Sequence, residues 1–259
     1  MDSDSPLIKA SALQALAIAT FYCGTMVDEK TEILDYLLEI ISSDGQYVDA
    51  YDNCEVVTSA LESWGVLATH VEDIRYITEA ALEAFMEQLE SAHSRISIAA
   101  GENIALIYEK NCTRCGEEEE VSDGEELLEL EDDSLTGITI VKKCFLFRKE
   151  KELRQLLSTL ATVSGRGISK KDRKLLHFNF ADILKSVENP LRGPRYHDAV
   201  NHKNSKHYGN RLSVKLGRNS EMKIDRWWKL LRFTALKRII QSGFMIHYEF
   251  NGAVFDCLP

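Results

Sequence analysis

The sequence has no apolar run approaching the roughly 20 residues that a bilayer-spanning helix needs. Its N-terminus, MDSDSPLIKA, lacks the basic start and apolar core of a secretory signal. The six cysteines are scattered through 259 residues, which suits a reducing compartment better than a disulfide framework. We therefore expect free thiols, no association with a membrane, and a protein of the cytoplasm with the nucleus as a second location.

Motifs of catalysis are equally scarce. No glycine-rich phosphate loop opens a helix, and neither a nucleophile elbow nor H-E-x-x-H occurs. Cys112 and Cys115 form one C-x-x-C, without a second pair at a zinc-binding spacing. Cys144 and His177 could complete a metal site in space, but a single pair at a helix end favours unliganded thiols. We predict no enzyme, no catalytic residue, no small-molecule substrate, no cofactor and no metal.

What the sequence does have is a division of charge. The net charge of -10 combines residues 1–140, with 31 acidic and 6 basic side chains, and residues 141–259, with 10 acidic and 25 basic ones. The halves therefore carry -25 and +15. Such asymmetry indicates that the basic half binds a polyanion, while the alternative is that the two halves attract each other.

Five apolar stripes at helical spacing occupy residues 6–110, separated by short polar breaks. Each stripe is too apolar to stand alone, so stacking of antiparallel helix pairs is the natural solution. We predict an all-α fold, an armadillo- or HEAT-like α-solenoid over residues 1–111, with a compact irregular bundle as the alternative.

The segment 112–137 contains GEEEEVSDGEELLELEDDS, whose like charges repel one another. We predict an acidic flexible loop that is either a solvated connector or a mimic of the phosphate backbone lying over the basic half.

Residues 138–259 form the predicted basic C-terminal domain. Residues 138–147 are β-prone, and helices are predicted at 149–163 and 168–187. The stretch 189–209 is predicted to be largely loop because it is rich in Pro, Gly, His and Asn. A small β-hairpin at 211–224 and a long helix at 225–241 complete the prediction.

Basic side chains cluster within this domain at three places: the start of a helix, a loop with the following hairpin, and the last long helix. A helix N-terminus favours anions, and interleaved tyrosines can stack on bases. The predicted nucleic-acid-binding residues are Lys170, Lys171, Arg173, Lys174, Arg192, Arg195, Lys203, Lys206, Arg211, Lys215, Arg226, Lys229, Arg232 and Lys237.

The last long helix allows two interpretations. Ile224, Trp228, Leu231, Ala235 and Ile239 form a stripe that should face the core. The rest of the helix is both basic and apolar, which suits insertion against RNA and protein together. The alternative is that Phe233, Leu236 and Ile240 pack under the hairpin or the final segment, with Trp227 and Trp228 as core anchors.

Several segments resemble the fungal branch of the interferon-related developmental regulator family. They are ISKKDRKLLHFNFADILKSVENP, RGPRY, the stretch from KHYGNRLSVKLGRN to the C-terminus, and the earlier LLEIISSDG, ALESWGVLAT and IAAGENIALIYEK. Family members usually carry further helical repeats before this start, so the chain looks N-terminally short.

The resemblance implies an armadillo-like fold without catalysis. Some animal members bind the ribosome and insert a C-terminal helix into the mRNA channel, and that helix corresponds to residues 225–241 here. Others are transcriptional co-regulators that work with deacetylase complexes. Two functions are therefore expected: a translational regulator that binds the ribosome or its RNA through the basic half, or a nuclear scaffold that binds protein partners through the helical repeats.

Overall fold

The computed structural model describes residues 5–24, 27–114, 126–131, 138–162, 170–200, 207–215 and 221–258. The structure is mostly helical, with two small sheets. Its helices are α1 Pro6–Cys23, α2 Val27–Ser42, α3 Cys54–Ala68, α4 Arg75–Leu89, α5 Ser94–Lys110, α6 Glu150–Thr162, α7 Lys170–Glu188, α8 Trp227–Ile240, α9 Phe244–Phe250 and α10 Gly252–Phe255. Its strands are β1 Cys112–Arg114, β2 Glu126–Glu131, β3 Ile138–Lys143, β4 Arg195–Val200, β5 His207–Lys215 and β6 Glu221–Ile224.

The first five helices lie where the apolar stripes predict them, and local chemistry sets their ends. Pro6 opens α1 at a position where its missing N–H costs nothing. Asn53 caps α3 by accepting a hydrogen bond from the Val56 N–H at 3.2 Å. After α2 the chain reverses through Gly45, whose φ of 82° is a left-handed value that glycine adopts without strain.

The helices contact one another in a regular order. α1 packs on α3, α3 on α5 and α5 on α7, while α2 packs on α3 and α4, and α4 packs on α5. Gly65 of α3 lets α5 approach, because a Cβ at this position would lie 2.2 Å from Asn103 Oδ1. Asn103 in turn donates a hydrogen bond to the Leu61 carbonyl at 2.8 Å.

By length and composition alone, α1 is long and apolar enough to cross a membrane. It is the one such helix among the described residues. Core helices of soluble proteins meet the same criterion, and α1 buries Leu13, Ala17 and Phe21.

One apolar core runs through both predicted domains. It extends from Leu13 of α1 through α2 to α5 and continues to Leu153 of α6, Phe180 of α7 and Leu231 of α8. This core extends across the boundary predicted near residue 137.

The segment 112–137 requires a correction to the predicted flexible loop. β1 and β2 both pair antiparallel with β3, giving the sheet order β1-β3-β2. Leu and Glu alternate over residues 128–131 of β2, which provides the two-residue period of a strand despite the acidic composition. Residues 115–125 and 132–137 lie outside the described part of the chain.

A buried lysine anchors this sheet to the helices. Lys143 of β3 is 1% exposed and pairs with Glu150, and its Nζ lies 3.8 Å from Glu126 of β2. The same Nζ lies over the rings of Tyr108 and Phe145, at 5.4 and 4.9 Å from their centroids. Opposite charges and aromatic faces thus surround the buried ammonium, which is the condition for burying a charge at tolerable cost.

The second sheet corrects the prediction that residues 189–209 are largely loop. β4 pairs antiparallel with β5, and β5 with β6, in the order β4-β5-β6. Residues 201–206 and 216–220, which include the predicted turn of the hairpin, lie outside the described residues.

A smaller second core lies beside this sheet. Phe233 and Leu236 of α8 pack there with Ile224, Phe244 and Val254. Because Trp227 and Leu231 belong to the main core, α8 lies between two cores. This packing matches the alternative in which the apolar residues of α8 lie under the final segment, and it leaves Ile239 of the predicted core stripe 46% exposed.

Candidate nucleic-acid interface

The predicted basic residues fall into three groups in the structure, beginning with the N-terminal turns of α7. Lys170, where the helix begins, and Lys171, Arg173 and Lys174 lie within its first five residues. The N–H groups in the first turn of a helix lack helical acceptors, and the macrodipole places partial positive charge there. The backbone and the sequence together therefore favour an anion, although the side chains of residues 170–175 lie outside the described part of the structure.

The β4-β5-β6 sheet carries the second group. Arg195 of β4 lies directly opposite Arg211 of β5, and Lys215 lies opposite Glu221 of β6. The backbone places these residues at paired positions, although the side chains of Arg195, Arg211 and Lys215 lie outside the described part of the structure. The register also shifts between Arg195 and His197, and such irregularities are frequent beside functional sites. Lys203 and Lys206 fall in the undescribed segment between the strands.

In the third group, on and around α8, the arginines are bonded within the chain itself. Arg192 pairs with Asp182 of α7, and both side chains are only 8% exposed. This placement favours a structural role for Arg192 over a phosphate contact. Arg226 Nη1 donates to the Leu191 carbonyl at 3.4 Å, which ties the N-terminus of α8 to the segment after α7.

Arg232 is the most extensively bonded of these cations. Its Nε donates to Thr69 Oγ1 at 2.8 Å, its Nη2 to the Thr69 carbonyl at 2.9 Å and its Nη1 to the Cys257 carbonyl at 3.3 Å. The guanidinium lies 5.1 Å from the Phe21 ring centroid and 4.9 Å from that of Trp228. Burial lowers its pKa from the usual value, but arginine remains charged in proteins. Arg232 therefore holds α8 against α3 and the C-terminal segment.

The two lysines predicted on α8 differ in exposure. Lys229 is 8% exposed, with its Nζ 6.0 Å from the Trp228 ring centroid. Lys237 is exposed and lies over the Phe233 ring at 5.5 Å. Lys237 is thus the residue of this helix's predicted set that can readily reach a partner.

Sequence reasoning missed two residues that position α8. Glu109 of α5 accepts the Trp227 N–H at Oε2, 2.9 Å away, and the Trp228 N–H at Oε1, 3.1 Å away. It caps a helix whose own N-cap residue, Arg226, makes no side-chain cap. Burial raises the pKa of Glu109 to about 7, although both hydrogen bonds oppose this rise. No local motif marks a cap contributed by a helix more than a hundred residues earlier.

Glu62 of α3 is the second missed residue, and it pairs with Arg238 of α8. Burial raises the pKa of Glu62, which the charge of Arg238 opposes. An isolated Glu in an otherwise apolar stripe was the available signal, but its partner cannot be identified from sequence spacing.

The described residues contain no group of three or more His, Cys, Asp and Glu side chains suited to a metal ion. Cys112 is buried and its thiol is free, and burial raises its pKa to about 12. Such a thiol is poorly nucleophilic at neutral pH. Cys115, the other half of the C-x-x-C, lies outside the described residues.

The sequence matches a known protein family over the first seven helices. The family described as interferon-related developmental regulator matches residues 1–188, which end with α7. The chain therefore belongs to the interferon-related developmental regulator family.

A relative supports this membership over a longer range. The uncharacterized protein C20F10.03 of the fission yeast Schizosaccharomyces pombe is 28% identical over 253 residues, which cover 95% of this chain and 50% of the relative. The chain thus spans about half the length of that relative, and the similarity extends beyond α7 into the basic region.

Proposed function

We propose that this protein is a non-enzymatic regulator of translation that binds the ribosome or its RNA through the basic C-terminal half. Residues 141–259 carry a net charge of +15, and affinity for nucleic acid depends on neutralising phosphates. Family membership fits a regulatory protein without catalysis, and the cytoplasm, where ribosomes work, is the expected location.

One observation carries the proposal. Arg195 and Arg211 occupy paired positions on neighbouring strands, so the backbone register puts two arginines side by side on one face of the sheet. A phosphate backbone supplies anions at regular intervals, and arginine forks are suited to phosphate oxygens. We therefore assign the contact surface to this sheet and the start of α7, with Lys237 at its margin.

This assignment revises the role of α8. In the described conformation Arg192, Arg226 and Arg232 already bond within the chain. Insertion of α8 into an RNA channel would have to break these bonds and expose both faces of the helix. Binding by the sheet and α7 needs no such rearrangement.

The test compares Arg211→Gln with Lys151→Gln, a matched loss of one charge at an exposed residue of α6. Sedimentation with ribosomes at 50 and 200 mM salt measures the affinity of each. We expect Arg211→Gln to weaken binding and to lower the salt slope by about one unit. The melting temperature should stay equal or rise, because one of two positive charges at paired strand positions is removed.

Lys151→Gln should leave binding nearly unchanged. Binding that is insensitive to salt, or equal losses in the two variants, would refute the assigned surface.

We also propose that the helices form an armadillo-like solenoid of antiparallel pairs. The series α1, α3, α5 and α7 on one side, with α2 and α4 on the other, supports this proposal. An experimental structure tests it through the sense of rotation between successive pairs, since a compact irregular bundle lacks a constant rotation.

A second candidate function is a scaffold for protein partners, such as a transcriptional co-regulator. The observation that favours it is the outer surface of α2 and α4, where carboxylates and tyrosines are exposed together.

A further inference from the structure

Helix α2 presents a stripe of four exposed carboxylates to solvent. Asp28, Glu32, Asp35 and Glu39 are spaced four, three and four residues apart, so they share one face. Like charges at this spacing destabilise a helix. The helix dipole favours Asp28 in the first turn but disfavours Glu39 near the C-terminal end. The helix itself therefore stabilises Asp28 but not the three later carboxylates.

Helix α4, which packs on α2, carries a comparable stripe of carboxylates. Two of these carboxylates pair with basic side chains of the same chain. Glu79 Oε1 lies 3.2 Å from Arg148 Nε, and Glu83 Oε1 lies 2.8 Å from Lys149 Nζ. A basic dipeptide of the chain itself is thus seated on α4. Among the described residues, no Lys or Arg lies within 4.0 Å of the four carboxylates of α2.

Exposed tyrosines lie on elements next to α2. Tyr47 is 57% exposed, and its ring packs edge-on against Tyr36 of α2 with 5.8 Å between centroids. Tyr76 of α4, a helix that packs on α2, is 56% exposed. Burial raises the pKa of Tyr76 to about 12, and the charge of Asp35 adds to this rise.

We propose that this surface of α2, Tyr47 and Tyr76 binds an arginine-containing basic segment of a partner protein. A guanidinium pairs with a carboxylate through two parallel hydrogen bonds and stacks on an aromatic face, whereas an ammonium does so less well. Charge complementarity and the basic dipeptide seated on α4 identify the occupant, and RNA is excluded because the surface is negative. The inference rests on the second candidate function and is independent of RNA binding.

The test uses a fluorescein-labelled ten-residue peptide of alternating Arg and Ser, measured by anisotropy at 150 mM salt. A peptide with Lys in place of Arg is the matched ligand control. We expect the Arg peptide to bind at least threefold more tightly than the Lys peptide. Asp35→Asn/Glu39→Gln should weaken binding at least tenfold, while Glu188→Gln/Glu249→Gln, an equal loss of charge at exposed residues of α7 and α9, should not.

The tyrosine requires its own comparison. Tyr76→Ala should weaken binding of the Arg peptide, and Tyr76→Phe should retain it, because the ring supplies the stacking surface. Equal affinity for both peptides, or equal losses in the two double variants, would reduce the effect to general attraction between opposite charges and overturn the proposal. Absence of binding at 150 mM salt would overturn it as well.

These assays can contradict ribosome binding by the basic half and peptide binding by α2 independently of each other. Asp35→Asn/Glu39→Gln should keep ribosome binding, whereas Arg211→Gln should keep peptide binding. Loss of peptide binding in Arg211→Gln would contradict an independent site on α2.

Discussion

The acidic and the basic halves of this protein use their charges in opposite ways. The acidic helices α2 and α4 expose their carboxylates, whereas the arginines around α8 are hydrogen-bonded or paired within the chain. The net charge of a segment therefore says little about which charges reach a partner. An arginine can serve equally well as an internal connector, because its long apolar stem and five donors suit partly buried positions.

The strongest test of this comparison is Arg232→Met. The change leaves the Thr69 and Cys257 carbonyls without their donor and removes the stacking on Trp228, so the free energy of unfolding should fall by about 2 to 4 kcal/mol. Urea denaturation measures it. Lys237→Met, on the exposed side of the same helix, is the control and should stay within about 0.5 kcal/mol of the parent. Similar values for both variants would mean that Arg232 does not anchor α8.

A somewhat smaller effect is expected from Glu109→Ala. Two backbone N–H groups at the start of α8 lose their acceptor, which should cost about 2 kcal/mol of unfolding free energy at pH 7.5. Denaturant unfolding and hydrogen exchange of the Trp227 and Trp228 amides give two readouts. Unchanged protection of those amides would show that the cap does not hold the helix.

Glu109 also predicts a dependence on pH. Its pKa is raised from 4.5 in the unfolded chain to about 7 in the folded chain, so the folded chain binds more protons between these values. Stability therefore falls as pH rises from 4.5 to 7. The unfolding free energy of the parent minus that of Glu109→Gln should fall by about 2 kcal/mol between pH 5.5 and 7.5. A constant difference would argue against a raised pKa.

The smallest effect concerns a surface ion pair. Arg148 is 86% exposed and pairs with Glu79, so Arg148→Ala should change the unfolding free energy by no more than about 0.5 kcal/mol. Binding of the Arg peptide provides a second readout. Glu79 without its partner Arg148 adds one more carboxylate, on α4, to the surface proposed to bind the peptide. A large loss of stability would indicate that this contact belongs to the fold and is a poor guide to ligands.

Apolar spacing was sufficient to predict the helices from α1 to α8, because a 3.6-residue period persists over several turns in each. The strands were harder. β2 consists of glutamate and leucine, so its composition favoured a solvated loop, while its pairing with β3 depends on residues distant in the sequence. β4 was not predicted, because the residues around it are typical of turns.

The candidate site was predictable as a list of cations but not as a surface. The cap from Glu109 and the partners of Arg192 and Arg232 arise only when helices far apart in sequence are brought together. Asp182, for example, lies ten residues before Arg192, and a helix end must intervene for the two to meet. Sequence spacing therefore cannot separate an internal arginine from one available to phosphate.

The position of α8 between two cores has a consequence for unfolding. Leu231 lies in one core, while Phe233 and Leu236 lie in the other. Unfolding of either core therefore removes the packing on one side of α8. The acidic and the basic regions should therefore lose structure together in a single cooperative transition, despite their opposite charges.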